Sequence, residues 1–107
     1  MSILALCLRE DRIAPRYDRP DMLLLVAIAE DESGEAWRKT LPVAHLKPRE
    51  VCELLVSLGA THLVCGGVKQ ECQTTLRQAG IEFVDNVIGS AEEAIRCFCK
   101  GTLTPGA

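Results

Sequence analysis

The sequence lacks the features that mark several common classes of protein. Its 107 residues carry a net charge of −3, which argues against a generally basic nucleic-acid binder. The apolar runs Ile3–Leu8 and Met22–Ala29 are far too short to span a bilayer, and no basic segment with a cleavage site precedes the first. We therefore expect a cytoplasmic protein that binds neither nucleic acid nor membrane.

The signatures of catalysis and nucleotide binding are missing as well. The sequence has no G-x-S-x-G elbow, no G-x-x-x-x-G-K-[ST] and no G-x-G-x-x-G. The same two apolar runs hold no carboxylate that could bind the metals of a two-metal nuclease. His45 and His62 have no serine or cysteine placed beside them as a nucleophile. We expect a protein that is not an enzyme.

Cysteine, by contrast, is plentiful, but its spacing excludes the usual cysteine motifs. The six cysteines are Cys7, Cys52, Cys65, Cys72, Cys97 and Cys99. Because no C-x-x-C occurs, neither a zinc site nor a thioredoxin-type redox pair is predicted. All six lie within predicted strands and helices of a chain without a signal peptide, so we expect reduced thiols.

Apolar runs separated by turn residues predict five strands of an α/β protein. The predicted strands are Ile3–Leu8, Met22–Ala29, Glu35–Leu41, Leu63–Cys65 and Ile81–Val87. The turn residues Asp31–Gly34 join the second and third strands as a hairpin. Since the first two strands are apolar throughout, we expect both faces of the sheet to be covered.

Three helices are predicted between and after these strands. The first begins at Pro48, a residue well suited to the first helical position, and stops at Gly59. The second runs from Val68 to its C-terminal cap, Gly80. The third opens with a Ser-x-x-Glu capping box at Ser90 and extends to about residue 100.

These elements predict a five-stranded mixed sheet in the order 3-2-1-4-5, with the strands counted along the chain. One hairpin strand is antiparallel to the others, and the three helices lie on the faces. Residues 1–102 are predicted to form a single domain and residues 103–107 a flexible tail. The first and fourth strands are neighbours whose connections leave in opposite directions, so a crevice is expected at their carboxyl ends.

Two segments are predicted to meet at this crevice. One is the charged loop Arg9–Asp21, and the other is the glycine turn after the fourth strand. Backbone N–H groups of such a turn attract anions, and arginine and lysine side chains add positive charge. The predicted anion site comprises Arg12, Arg16, Arg19, Gly66, Gly67, Val68 and Lys69. The alternative is a solvated loop whose opposite charges cancel.

Two cysteines are candidate ligands for a soft metal. Cys7 and Cys65 fall near the carboxyl ends of the adjacent first and fourth strands, where the register could bring them to one face. Cys65 also lies close to a predicted helix N-terminus, which would lower the pKa of its thiol. The alternative is that both are small core residues, as buried free cysteines usually are.

Three segments carry a resemblance to a known family. Leu58–Gly80 follows a pattern of helix end, strand, Gly-Gly turn and helix, and Gly89–Ala94 matches a capping box and helix. The loop segment Pro15–Arg19 aligns with a motif that usually reads x-Phe-Gly-Arg, often preceded by histidine. Over about residues 3–102, the chain resembles the dinitrogenase iron-molybdenum cofactor biosynthesis family. Asp18 stands at the motif glycine and Arg16 at the histidine position, and Lys69 replaces a small residue.

The resemblance implies a ribonuclease H-like fold and a cofactor carrier without catalytic turnover. The expected cargo is a metal–sulfur cluster, such as an iron–molybdenum or other molybdenum-sulfide cofactor, and the expected partners are proteins that donate or accept it. Within the family motif, Tyr17 joins the predicted cofactor-binding residues. The alternative is a metal-free interaction or regulatory module on the same fold, an alternative favoured by Asp18 and by the missing histidine.

Overall fold

The computed structural model describes residues 2–29 and 35–104. The strands are β1 (Ser2–Arg9), β2 (Arg12–Ile13), β3 (Met22–Ile28), β4 (Glu35–Pro42), β5 (His62–Val64) and β6 (Glu82–Val84). The helices are α1 (Pro48–Ser57), α2 (Gln70–Gln78) and α3 (Ala91–Lys100). The predicted hairpin turn Asp31–Gly34 and the last three residues of the predicted tail lie outside the described residues.

The principal strands follow the predicted order. Along the sheet they are arranged β4-β3-β1-β5-β6, with β3 antiparallel to both of its neighbours and β5 parallel to both β1 and β6. Counted as five strands along the chain, this is the order 3-2-1-4-5, and the predicted mixed α/β sheet is confirmed. The short strand β2 was not predicted; it pairs antiparallel with the end of β1, inside the charged loop.

The apolar character of β1 and β3 follows from their central position. Alternate residues of each strand point to opposite faces, and each face has its own buried cluster. On one face, Ala5 and Leu25 belong to the cluster that contains Leu55 of α1 and Leu76 of α2. On the other face, Leu6 belongs to the cluster that includes α3. Both faces of the central strands therefore need apolar residues.

The helix ends agree with the predicted capping chemistry. The Ser90 hydroxyl accepts a hydrogen bond from the Glu93 N–H at 3.1 Å, which caps α3. Pro48 opens α1, and Gly59 and Gly80, which follow α1 and α2, adopt left-handed φ angles of 76° and 79°. The helices thus begin and end at residues that suit those positions.

The predicted strand Leu63–Cys65 is shifted by one residue to His62–Val64, so Cys65 follows β5. Two other boundaries differ by more than one residue. Helix α2 begins at Gln70 instead of Val68, because Lys69 has an extended conformation and is the N-cap of the helix. Strand β6 covers only Glu82–Val84, whereas the apolar pattern predicted a strand to Val87. The chain leaves the sheet after Val84, and Asn86 adopts a left-handed φ of 57°.

Two further observations concern the lengths of the helices and the packing of the C-terminal residues. Among the described residues, no helix is both long and apolar enough to cross a membrane. Leu103, at the start of the predicted flexible tail, packs against the cluster on the α3 face.

Candidate functional site

The charged loop and the glycine turn lie side by side. The Tyr17 N–H donates to the Gly67 carbonyl at 2.9 Å, and the Gly67 N–H donates to the Pro15 carbonyl at 2.8 Å. These bonds form a parallel bridge between Arg16 and Gly67. The Gly67 N–H group is therefore committed to the chain itself, contrary to the prediction that it would face an anion.

Gly66 has a packing role in the turn. A Cβ atom at this position would lie 2.2 Å from the Pro15 carbonyl oxygen and 2.3 Å from that of Ala14, far inside van der Waals contact. Its own carbonyl accepts a hydrogen bond from the Asn86 N–H at 3.0 Å. The residue is buried, so glycine is required here for backbone packing and not for the approach of a ligand.

Tyr17 connects this junction to helix α1. Its ring is buried, and its hydroxyl donates a hydrogen bond to the Pro48 carbonyl at 3.0 Å. Burial raises the pKa of the Tyr17 phenol, so the hydroxyl keeps its proton and acts as a donor. Tyr17 therefore anchors the charged loop twice, through its backbone N–H and through its side-chain hydroxyl.

Two cavities adjoin Tyr17. One, of about 240 Å³, is lined by Arg16, Tyr17, Asp18, Gly67, Val68, Lys69 and Cys72. The other, of about 300 Å³, is lined by Tyr17, Pro48, Arg49, Glu71, Cys72 and Thr75. Because both share Tyr17 and Cys72, we treat them as the two ends of one depression and call it the Tyr17 groove.

One carboxylate links the two cations of the first cavity. Arg16 donates to Asp18 through Nε at 3.0 Å and through Nη2 at 2.8 Å, a bidentate arrangement. The Lys69 Nζ lies 3.8 Å from the same carboxylate. The Asp18 side chain is 19% exposed, compared with 52% for Arg16 and 60% for Lys69. The first cavity thus contains two exposed cations around one largely covered anion.

The structure brings five of the eight predicted cofactor-binding residues to the Tyr17 groove. These are Arg16, Tyr17, Gly67, Val68 and Lys69. Gly66 lies buried behind the groove. Arg12 is in β2, where its backbone pairs with Ser90 beside α3. Arg19 lines a neighbouring cavity of about 490 Å³, which borders the groove at Asp18 and Pro48. The extra strand β2 is what removes Arg12 from the predicted site.

The predicted metal ligands Cys7 and Cys65 lie in the core. Both are fully buried and belong to the cluster beneath α1 and α2, as expected for one shared face. Burial raises the pKa of Cys7 to about 12, and it also raises the pKa of Cys65. The predicted lowering of the Cys65 pKa is therefore wrong, because desolvation by burial is the largest influence on this thiol. In residues 2–29 and 35–104, no group of three metal-ligating side chains occurs.

Sequence reasoning missed Asp18 and Cys72 as residues of the groove. Cys72 is half-buried and lines both cavities. Burial raises the pKa of its thiol most, and the negative charges of Glu71 and Asp18 raise it further. Cys72 and Val68 both pack against the core cluster beneath α1 and α2, although Val68 precedes the helix. The apolar pattern from Val68 through Cys72 to Leu76 could have identified Cys72. The role of Asp18 depends on loop geometry that has no sequence signature.

Solved structures share this architecture. The fold is that of the crystal structure of PH0822, with a TM-score of 0.87 and 19% identity over 96% of this chain and 93% of that one. A candidate dinitrogenase, MJ0327 from Methanocaldococcus jannaschii, gives a TM-score of 0.78 at 16% identity, covering 95% and 91% of the two chains. The apo form of the orange protein from Desulfovibrio gigas gives 0.77 at 19%, covering 100% and 94%.

These likenesses establish the fold and no more, since every identity is low. No family model matches the sequence, and the search of curated proteins found no relative.

Proposed function

We propose that this protein binds and carries a metal–sulfur cofactor, iron–molybdenum or another molybdenum sulfide, during its assembly or delivery, without catalysing a reaction. The observation that carries the proposal is the Tyr17 groove, in which Arg16, Lys69 and the Cys72 thiol line neighbouring walls. The fold shared with a candidate dinitrogenase and with the orange protein supports the same role. Membership of the dinitrogenase cofactor biosynthesis family is part of the proposal.

The lining of the groove suits such a cargo chemically. A sulfide-bridged molybdenum cluster is an anion with soft, polarisable edges. Arginine and lysine provide charge-assisted donors to its sulfur atoms, and thiol sulfur is a soft ligand. The two ends of the groove enclose about 240 and 300 Å³, within the range of ligand pockets once joined. The partners implied are proteins that supply the cluster and receive it.

The test is anaerobic titration of the purified protein with tetrathiomolybdate, with and without ferrous iron. Binding is read from visible charge-transfer bands that co-elute with the protein. Arg16→Ala combined with Lys69→Ala is expected to weaken binding by at least about tenfold, because the first cavity loses both of its charged donors. The matched control is Arg12→Ala with Arg96→Ala, which removes the same charge from residues outside the groove. Equal affinity in the two double variants would overturn the proposed site.

The second candidate function is a metal-free interaction or regulatory module. It is favoured by one observation: Asp18 already neutralises part of the positive charge that an anionic cluster would use. A metal-free module would develop no colour with any metal–sulfide mixture. It would also capture the same partner protein with or without chelator. A partner captured only by the cluster-loaded protein supports the carrier instead.

A further inference from the structure

We propose that Asp18 is a built-in counter-ion, which pairs with Arg16 and Lys69 in the first cavity of the Tyr17 groove until an anion of two or more negative charges displaces it. Asp18 thereby determines which anions the groove accepts. This inference rests on the proposed function, because it assigns the charge class of the cargo and the residue that selects it.

The contacts of Asp18 resemble those of a bound anion. Both carboxylate oxygens are engaged by Arg16, and Oδ2 is also within 3.8 Å of Lys69. Arg16 comes from the charged loop and Lys69 from the start of α2, so the carboxylate lies at the junction of the two segments. Only 19% of its side chain is exposed, although both cations are more than half exposed. The carboxylate is on the inner side of this cluster, and the cations face outward.

The surrounding backbone allows the carboxylate to leave without rearrangement of the loop. The preceding residue, Tyr17, is held by its N–H on Gly67 and by its hydroxyl on Pro48. A further turn bond joins the Arg19 N–H to the Arg16 carbonyl at 3.3 Å. Because these anchors do not involve the Asp18 side chain, rotation about its χ1 suffices to release both cations.

The charges set a threshold for the incoming anion. With Asp18 in place, the three side chains carry a net charge of +1, from two cations and one anion. A monoanion that replaced the carboxylate would restore only the interactions that were lost. A dianion attracts both cations about twice as strongly as the carboxylate it replaces, and this excess offsets its repulsion by the displaced Asp18. The accepted class is therefore a compact oxo- or thio-anion of at least two charges, which includes thiomolybdates.

The test compares Asp18→Asn with Asp21→Asn. Asp21 is a matched control, since it pairs with Arg9 at 3.7 Å and lies outside the cavity that holds Arg16 and Lys69. Each protein is titrated by calorimetry with tetrathiomolybdate, with molybdate, and with perrhenate, a tetrahedral monoanion of molybdate's shape. We expect Asp18→Asn to bind the dianions about tenfold more tightly than the wild type and to gain measurable perrhenate binding. Asp21→Asn should behave as the wild type does.

The outcomes separate this inference from the proposed function. If Asp18→Asn gains molybdate and perrhenate binding while no form binds tetrathiomolybdate, the counter-ion role stands and the cargo assignment fails. If the wild type binds tetrathiomolybdate but Asp18→Asn shows no gain over Asp21→Asn, or binds more weakly, the counter-ion role is wrong and the carrier stands. Asp18→Ser provides a second variant should the amide disturb the loop, with near-ultraviolet circular dichroism as the check on folding.

Discussion

At the scale of single residues, the glycine pair shows that one motif serves two needs. A Gly-Gly turn before a helix is typical of an anion cradle, and the sequence favoured that role for both glycines. In the structure, Gly66 accommodates the carbonyls of Ala14 and Pro15, while Gly67 lines the groove and bonds to the loop. The turn therefore holds the loop in place, and the side chains of Arg16 and Lys69 face the cavity.

We predict that Gly66→Ala destabilises the protein by about 3 kcal/mol, because the added methyl group would overlap two backbone carbonyls that cannot move independently. Gly67→Ala is the matched control. A Cβ atom at that position would make its nearest contact at 3.6 Å, with Asn86, so a much smaller effect is expected. Urea denaturation followed by circular dichroism measures both. Equal destabilisation of the two variants would contradict the packing role of Gly66.

At the scale of secondary structure, the elements are held by local signals and the loops by tertiary contacts. Helix α3 illustrates the first case, since its start is fixed by Ser90 and its first turn contains the acidic residues Glu92 and Glu93. The charged loop illustrates the second, since its backbone bonds go to β1, to Gly67, and to Gly89 and Ala91 around the start of α3. Replacing only the Ser90 side chain keeps these backbone bonds, so its effect should fall on α3 and leave the groove intact.

Replacing the cap tests this separation. Ser90→Ala is expected to cost about 1 kcal/mol of unfolding free energy, because the Glu93 N–H loses its acceptor. Ser57→Ala, at the exposed end of α1, removes a hydroxyl that only donates back to the Leu54 carbonyl and should change stability by less than about 0.5 kcal/mol. Thermal denaturation gives the difference. A cost for Ser57→Ala as large as that for Ser90→Ala would contradict the assignment.

How much the sequence could predict also depends on scale. The strand order follows from apolar runs and connection lengths, which are properties of whole segments, and it was predicted correctly. The two-residue strand β2 and the early end of β6 depend on turns at Glu10 and Asn86, both with left-handed φ angles. Neither residue type requires that conformation, so periodicity could not reveal it. For the same reason, the sequence could not show that Arg12 lies outside the site or that Asp18 pairs with Arg16 and Lys69.

At the scale of the whole molecule, the buried thiols make stability depend on alkaline pH. The Cys7 and Cys65 thiols keep their protons in the folded protein, because burial raises both pKa values above the ordinary 9.0. In the unfolded chain they ionise near that value. Their contribution to stability is therefore complete below pH 9 and is lost as the pH rises toward the folded pKa, about 12 for Cys7.

We expect each of these two thiols to lower the unfolding free energy by up to about 1.4 kcal/mol per pH unit, a slope that is approached about one unit above pH 9. Cys7→Ala should remove one such contribution from the measured slope, whatever it does to stability at pH 7. Cys99→Ala, which removes an exposed thiol, should leave the slope unchanged. Urea denaturation between pH 7 and pH 10 measures all three proteins. A Cys7→Ala slope equal to that of the wild type would contradict the burial argument.

The chain contains one tyrosine and one tryptophan, and they lie in different environments. Tyr17 is buried at the floor shared by both cavities, whereas Trp37 is 43% exposed on strand β4 at the sheet edge. Each ring is thus an intrinsic optical reporter for one region. A ligand that fills the groove perturbs the tyrosine absorption, and a protein that covers the outer strand perturbs the tryptophan emission, so the unlabelled molecule distinguishes the two events in one cuvette.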